Sequence, residues 1–205
     1  MSGSDKRRKP RGTSSFLEIG SAGVRQHAIE LPNSKEEIEQ FIAERFCDPN
    51  SRMKPQFDRY GAFEKLTFHE QNSIDFSAET KLGRRWIELA EFAPLEKFDG
   101  DYKTVPDTWR MEDAIELWLD LIQKKSNKQY GKDVILLIYN TDDNLLLTTP
   151  VRATVCKKLQ KNPPIFDAIF YISVNPDNTA FSWEIFPGDP NDSWALETGT
   201  YRFIT

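Results

Sequence analysis

The sequence predicts an α/β (α+β) fold, a central mixed β-sheet flanked by helices, with elements in the order α-β-β-β-α-β followed by an added α-β-β. Three observations carry this expectation. Residues 134–139 and 166–174 are near-continuous apolar runs, as strands buried on both faces of a mixed or parallel sheet should be. Residues 34–48 and 108–128 repeat their apolar positions at helical spacing. Between these two helices lie three short strand-like segments punctuated by turn residues.

The first helix is announced by Ser34, which stands three residues before Glu37 as in a capping box, with acids in its first turn. Ile38, Phe41, Ile42 and Phe46 form its apolar stripe, and Asp48-Pro49 marks its end. Residues 50–60 have a loop-like composition. Strands are expected over residues 65–70, 73–79 and 86–92, with Asn72 and the run Lys81-Leu82-Gly83-Arg84 supplying turns. Pro94, Gly100 and Pro106 make residues 92–108 an irregular connection. The second helix should start near Asp107 and Thr108, which offer a cap, and should bury Ile115, Trp118, Leu121 and Ile122. Residues 151–160 suggest a short helix, and 180–186 an alternating edge strand.

A chain of 205 residues that is 39 % hydrophobic suffices for one domain with appendages. The expected organisation is a basic, disordered arm over residues 1–30, a folded domain over 31–187 and a C-terminal surface segment over 188–205. The arm carries Lys6, Arg7, Arg8, Lys9 and Arg11 with little to bury, which suits either a phosphate backbone or a plain solvated terminus. A net charge of −5 excludes a global attraction to polyanions, so nucleic acid would have to be met by a local basic patch or a metal. Cys47 and Cys156 are too few for a zinc site or a disulfide framework, and no apolar leader opens the chain. A cytoplasmic setting is the resulting expectation. No run approaches the roughly 18 apolar residues of a spanning helix, so a membrane partner is not expected. Phosphate loops, nucleophile elbows and His-Glu-X-X-His patterns are absent from the sequence, and His27 and His69 stand alone.

The chemistry-bearing pair is Asp75 and Glu88, on segments that read as neighbouring strands. Two carboxylates so placed can share a hard divalent cation such as Mg²⁺ or Mn²⁺, which takes oxygen ligands and keeps several waters. A cation held this way can activate water against a phosphodiester. The alternative is that both acids form the solvated face of a hairpin.

The order of elements over residues 34–186, together with Asp75 and with Glu88-Leu89-Ala90, resembles the core of the PD-(D/E)XK nuclease superfamily, the restriction-endonuclease-like fold. The resemblance implies that Asp75 and Glu88 are the metal ligands and that residues 31–187 form the nuclease-like domain. It also implies a lysine two residues after the second acid, where this chain has Ala90, and Ile74 stands where the motif's proline is common. That lysine would position water or stabilise phosphate charge in the transition state. The superfamily moves it to neighbouring elements, and Lys125 is the candidate substitute, because it falls on the inward stripe with Trp118 and Ile122. Lys128 and Tyr130 close the same helix end and could support the site, although a lysine-rich helix end is also favoured by the helix dipole alone. Further supporting acids are Glu44 on the first helix, Glu79 on the face of Asp75, and Glu91, which alternation sends to the face opposite Glu88, where it needs a partner. Two function classes follow: a Mg²⁺- or Mn²⁺-dependent nuclease on DNA or RNA, of a restriction, defence or mobile-element kind and by analogy a homodimer, or a nuclease fold without chemistry that serves as a binding module.

Overall fold

The computed structural model describes residues 16–20, 23–27, 29–50, 55–69, 74–106, 108–128, 130–142, 145–175 and 180–191. Its first element is a two-stranded antiparallel hairpin, β1 (Phe16–Gly20) with β2 (Gly23–His27), which corrects the expectation of an unstructured arm across this stretch. Residues 1–15 lie outside the described residues. Helix α1 (Lys35–Cys47) begins on the expected capping box: Ser34 Oγ accepts the Glu37 N–H and the Glu37 carboxylate accepts the Ser34 N–H, both at 3.1 Å. A short helix, α2 (Pro55–Tyr60), occupies part of the stretch read as loop. Its proline sits at the first helical position, which tolerates a missing N–H. Arg59 and Tyr60 are then held by remote partners: Tyr60 OH donates to Asp167 Oδ2 at 2.8 Å, and Arg59 bridges Asp167 and Glu184 at 3.3 and 3.2 Å. Those contacts are tertiary, so composition alone did not reveal the helix.

The main sheet has six strands: β3 (Glu64–Phe68), β4 (Phe76–Thr80), β5 (Gly83–Glu91), β6 (Val134–Tyr139), β7 (Ala168–Val174) and β8 (Ala180–Phe186), adjacent in that order. Strands β3, β4 and β5 run antiparallel to their neighbours, β5, β6 and β7 run parallel, and β8 returns antiparallel. The β4–β5 turn needs Gly83, whose φ is +92°, and Thr80 Oγ1 braces it by accepting the Leu82 N–H at 3.2 Å. The two parallel pairs require crossovers, supplied by α3 (Met111–Ser126) and α4 (Thr149–Lys161). Helix α3 starts later than Asp107 and Thr108 suggested, with Arg110 at its N-cap and no side-chain cap; Asp107 lies outside the described residues. No described helix is long and apolar enough to cross a membrane.

Side chains alternate across the sheet and feed two cores. On one face Ala90, Leu136, Ile138 and Tyr171 pack under α3 and α4, where Phe92 stacks on Trp118 at 4.3 Å. On the other face Ile87, Leu89, Leu137 and Phe170 meet Ile38, Ile42 and Phe46 of α1. Every residue of β6 is buried, as its unbroken apolar run predicted. After β8 the chain lies along α4, with Gln160 donating to the Gly188 carbonyl at 3.0 Å and Arg152 to the Asp189 carbonyl at 3.2 Å. The remainder of the expected surface segment, 192–205, lies outside the described residues.

Phe170 is fully buried, with its ring 5.4 Å from that of Phe46. Phe170→Ala should therefore cost about 3–5 kcal/mol in denaturant unfolding, whereas Leu82→Ala, at a position 50 % exposed, should stay within about 0.5 kcal/mol.

Candidate functional site

The site grows out of a place where the sheet parts. Phe76 stands opposite Ile87 at the start of the β4–β5 ladder, and one further step of that register sets Asp75 opposite Glu88. Upstream of Phe76 the chain is no longer a strand, while β5 continues to Glu91. The Trp86 N–H bonds the Asp133 carbonyl and the Phe92 N–H bonds the Tyr139 carbonyl, so even-numbered residues of β5 aim their backbone at β6. By alternation Leu89 aims its N–H and C=O toward β4, beyond the last ladder pair. Two site side chains satisfy them: Asp75 Oδ2 accepts the Leu89 N–H at 2.7 Å, and Lys125 Nζ donates to the Leu89 carbonyl at 2.7 Å.

Glu88 is 2 % exposed, beside Ala90 on the face covered by α3. Its Oε1 accepts hydrogen bonds from Lys125 Nζ at 2.6 Å and Tyr130 OH at 2.8 Å, and Lys128 Nζ stands at 3.5 Å. The other oxygen, Oε2, is buried with no hydrogen-bond partner. A buried carboxylate is costly unless paired, and here the last turn of α3 and the loop after it bring the cations. Lys125 is reached by the apolar stripe that also buries Trp118 and Ile122, so packing of α3 aims its ammonium at β5.

Burial pushes the Asp75 carboxyl above the usual aspartate range and the nearby Glu88 charge adds to this; the Leu89 N–H, Lys125 and Lys35 oppose it. Tyr130 is raised by burial and by donating to the Glu88 carboxylate. A residue that sequence reasoning passed over also belongs here. Glu39 of α1 is 8 % exposed and ion-paired with Lys35 at 3.3 Å. Burial raises its pKa and the Asp75 charge adds to this, while Lys125 lowers it. Its signal was available: Glu39 precedes Ile42, Ala43 and Phe46 by three, four and seven residues, on the buried stripe of the helix. His69 also lies on this side, with Nε2 2.8 Å from Ser77 Oγ, its ring 5.2 Å from Trp86 and its N–H donated to the Asp75 carbonyl at 3.0 Å.

Of the residues singled out from the sequence, the fold brings together Asp75, Glu88, Lys125, Lys128 and Tyr130. It does not bring in the other three acids. Glu44 is exposed and accepts from Gln40 within α1 at 3.0 Å. Glu79 pairs with Arg84 at 2.9 Å near the β4–β5 turn, so it acts as a surface charge. Glu91 accepts from Tyr102 OH at 2.7 Å and Thr141 Oγ1 at 2.6 Å, and Tyr102 belongs to the core that also holds Ala90, so the strand end does not send Glu91 to the face opposite Glu88 as alternation suggested. Among the described residues no three His, Cys, Asp or Glu side chains are grouped to hold a metal. The hard oxygens near one another are the Asp75 and Glu88 carboxylates and the Leu89 carbonyl. Comparisons with models of protein families, with curated proteins and with solved structures gave no match to this chain.

The raised pKa of Asp75 sets a stability prediction with a definite sign. A carboxyl whose folded pKa exceeds its unfolded value favours folding only while protonated, so its contribution is full below the unfolded value and is lost as pH rises through the folded one. Asp75→Asn, which can still accept the Leu89 N–H, should melt about 2–4 °C above wild type at neutral pH, the shift that about 1 kcal/mol produces in a chain of this size. The gain should vanish near pH 4. Thermal unfolding followed by circular dichroism at both pH values checks this, and an unchanged or lower melting point at neutral pH would contradict it.

Proposed function

We propose that this chain is a divalent-metal-dependent nuclease that acts on the phosphodiester bonds of nucleic acid, with Asp75 and Glu88 as metal ligands and Lys125 as the catalytic cation. The carrying observation is the buried Glu88 carboxylate, bonded to Lys125 through one oxygen and left without a partner at the other. Buried charges of this kind are expensive, and the neighbouring Asp75 carboxyl is raised by burial, as groups at functional sites often are. The donor set suits Mg²⁺ or Mn²⁺: two carboxylates and a carbonyl, all hard oxygens, are what such ions accept when water completes their shell. A cation bound there would supply an activated water and neutralise phosphoryl oxygens.

The chain's own groups divide the remaining work. Glu88 and Asp75 fix the acidic floor of the notch between β4 and β5. Lys125 offers, from α3, the positive charge that Ala90 lacks; Ala90 is 2 % exposed in the α3-side core, where it packs as a small apolar group. Lys128, with a side chain 55 % exposed and an ammonium near Glu88, is placed to meet a phosphate of the nucleic-acid backbone. A local cluster of Lys124, Lys125 and Lys128 at the end of α3 can do this despite the net charge of −5.

The test is cleavage of plasmid, single-stranded DNA and RNA by wild type with Mg²⁺ or Mn²⁺, beside Glu88→Gln. Wild-type cleavage should depend on the metal and should fall about 100-fold or more in the variant. Equally negligible cleavage by both proteins, with nucleic-acid binding retained, would instead favour the non-catalytic binding module, a reading to which Ala90 lends support.

A further inference from the structure

The ammonium of Lys125 does two things at once. It neutralises Glu88 Oε1 at 2.6 Å and it satisfies the Leu89 carbonyl at 2.7 Å, a backbone oxygen that the parted sheet leaves without a ladder partner. Both are tasks a divalent cation in this notch would perform, through the same two oxygens. A divalent ion on the Leu89 carbonyl and the Glu88 carboxylate would stand a few Å from this ammonium, where a monovalent and a divalent charge repel strongly.

We propose that Lys125 is a latch on the metal position: in the metal-free protein its ammonium holds Glu88 Oε1 and the Leu89 carbonyl, it must leave for a divalent cation to bind, and its release turns it toward the incoming phosphate. This rests on the reading of Asp75 and Glu88 as metal ligands and adds to it an order of events and a regulation. Several features fit such a movement. Lys125 is one residue from the end of α3, and its side chain is 19 % exposed, so its flexible four-carbon stem has solvent to turn into. Tyr130, a neutral donor, remains on Glu88 Oε1 at 2.8 Å when Lys125 leaves, so the carboxylate keeps its orientation, and the exposed Lys128 is free to swing away from it. Glu88 Oε2 has no donor to surrender. Departure of the ammonium also leaves Asp75 and Glu88 with a greater local negative charge, which draws a divalent ion in.

The experiment compares Mn²⁺ binding to wild type and Lys125→Met, read by the paramagnetic resonance signal of free Mn²⁺, together with melting temperatures in chelator and in saturating Mn²⁺. Lys125→Met should bind Mn²⁺ at least about tenfold more tightly, equivalent to about 1.4 kcal/mol, while failing to cleave. It should melt below wild type in chelator and recover most of that difference with Mn²⁺. A lysine of structural importance only would lower the melting point without tightening Mn²⁺. Equal or weaker Mn²⁺ binding by the variant overturns the latch and leaves the metal site standing; absence of Mn²⁺ binding in both proteins overturns the latch and the metal site together. Should Lys125→Met not fold, the wild type still decides. With lysines carrying ¹³C-methyl labels and the Lys125 resonance assigned by Lys125→Arg, Mg²⁺ should shift that resonance, and no shift at saturation would overturn the proposal.

Discussion

Everything at the candidate site follows from the early parting of β4 from β5. A backbone N–H and C=O inside a protein must find partners, and where β4 ends at Phe76 the Leu89 peptide groups lose theirs. Asp75 and Lys125 supply the missing acceptor and donor. The polar cluster is therefore not an addition to a finished fold. It completes the sheet where the ladder fails.

Electrostatics then decides how such a cluster survives in a half-buried place. Glu88 is nearly inaccessible, and its cost is offset by Lys125, Tyr130 and Lys128 arriving from one helix end. Lysines at a helix C-terminus already suit the local dipole, so the helix gives up little by presenting them. A comparable solution appears at the N-terminal end of the parallel strands. There Asp167 collects Arg59, Arg85 and Tyr60, tying α2 and β5 to the start of β7. That second network pairs two arginines with Asp167 and Glu184. The Glu88 site differs in keeping one carboxylate oxygen without a donor.

The origin of the cation also has a physical reason. Residue 90 faces the layer filled by Ile138, Trp118 and their neighbours, and Ala90 fits there without a charge to accommodate. Lys125 reaches Glu88 from α3, with its ammonium on Glu88 Oε1 and the Leu89 carbonyl. With the charge on the helix, residue 90 is left to pack as a small apolar group.

Local pattern was enough for the class of fold and for nine helices and strands around the core, while the meeting of Asp75, Glu88 and Lys125 was expected only with the help of the family resemblance. Unbroken apolar runs mean strands covered on both faces, and a lysine on a buried helical stripe must reach water or an anion; neither inference needs knowledge of distant residues. Helix α2 and the hairpin β1–β2 were not legible, because α2 is held by Asp167 and Glu184 more than a hundred residues away, and a short isolated hairpin carries too little apolar pattern to declare itself. Among the acids, periodicity could say which side of an element each occupies but not which neighbours stand there. Hence Glu79 proved to be Arg84's partner and Glu91 that of Tyr102 and Thr141, while Glu39 emerged as a buried acid paired with Lys35. The sequence by itself determined the layers and which faces of the helices and strands are buried. Tertiary structure alone decided where β4 leaves β5, and so which backbone groups and which oxygens Asp75, Glu88 and Lys125 would serve, because a strand's end is set by what it pairs with across space.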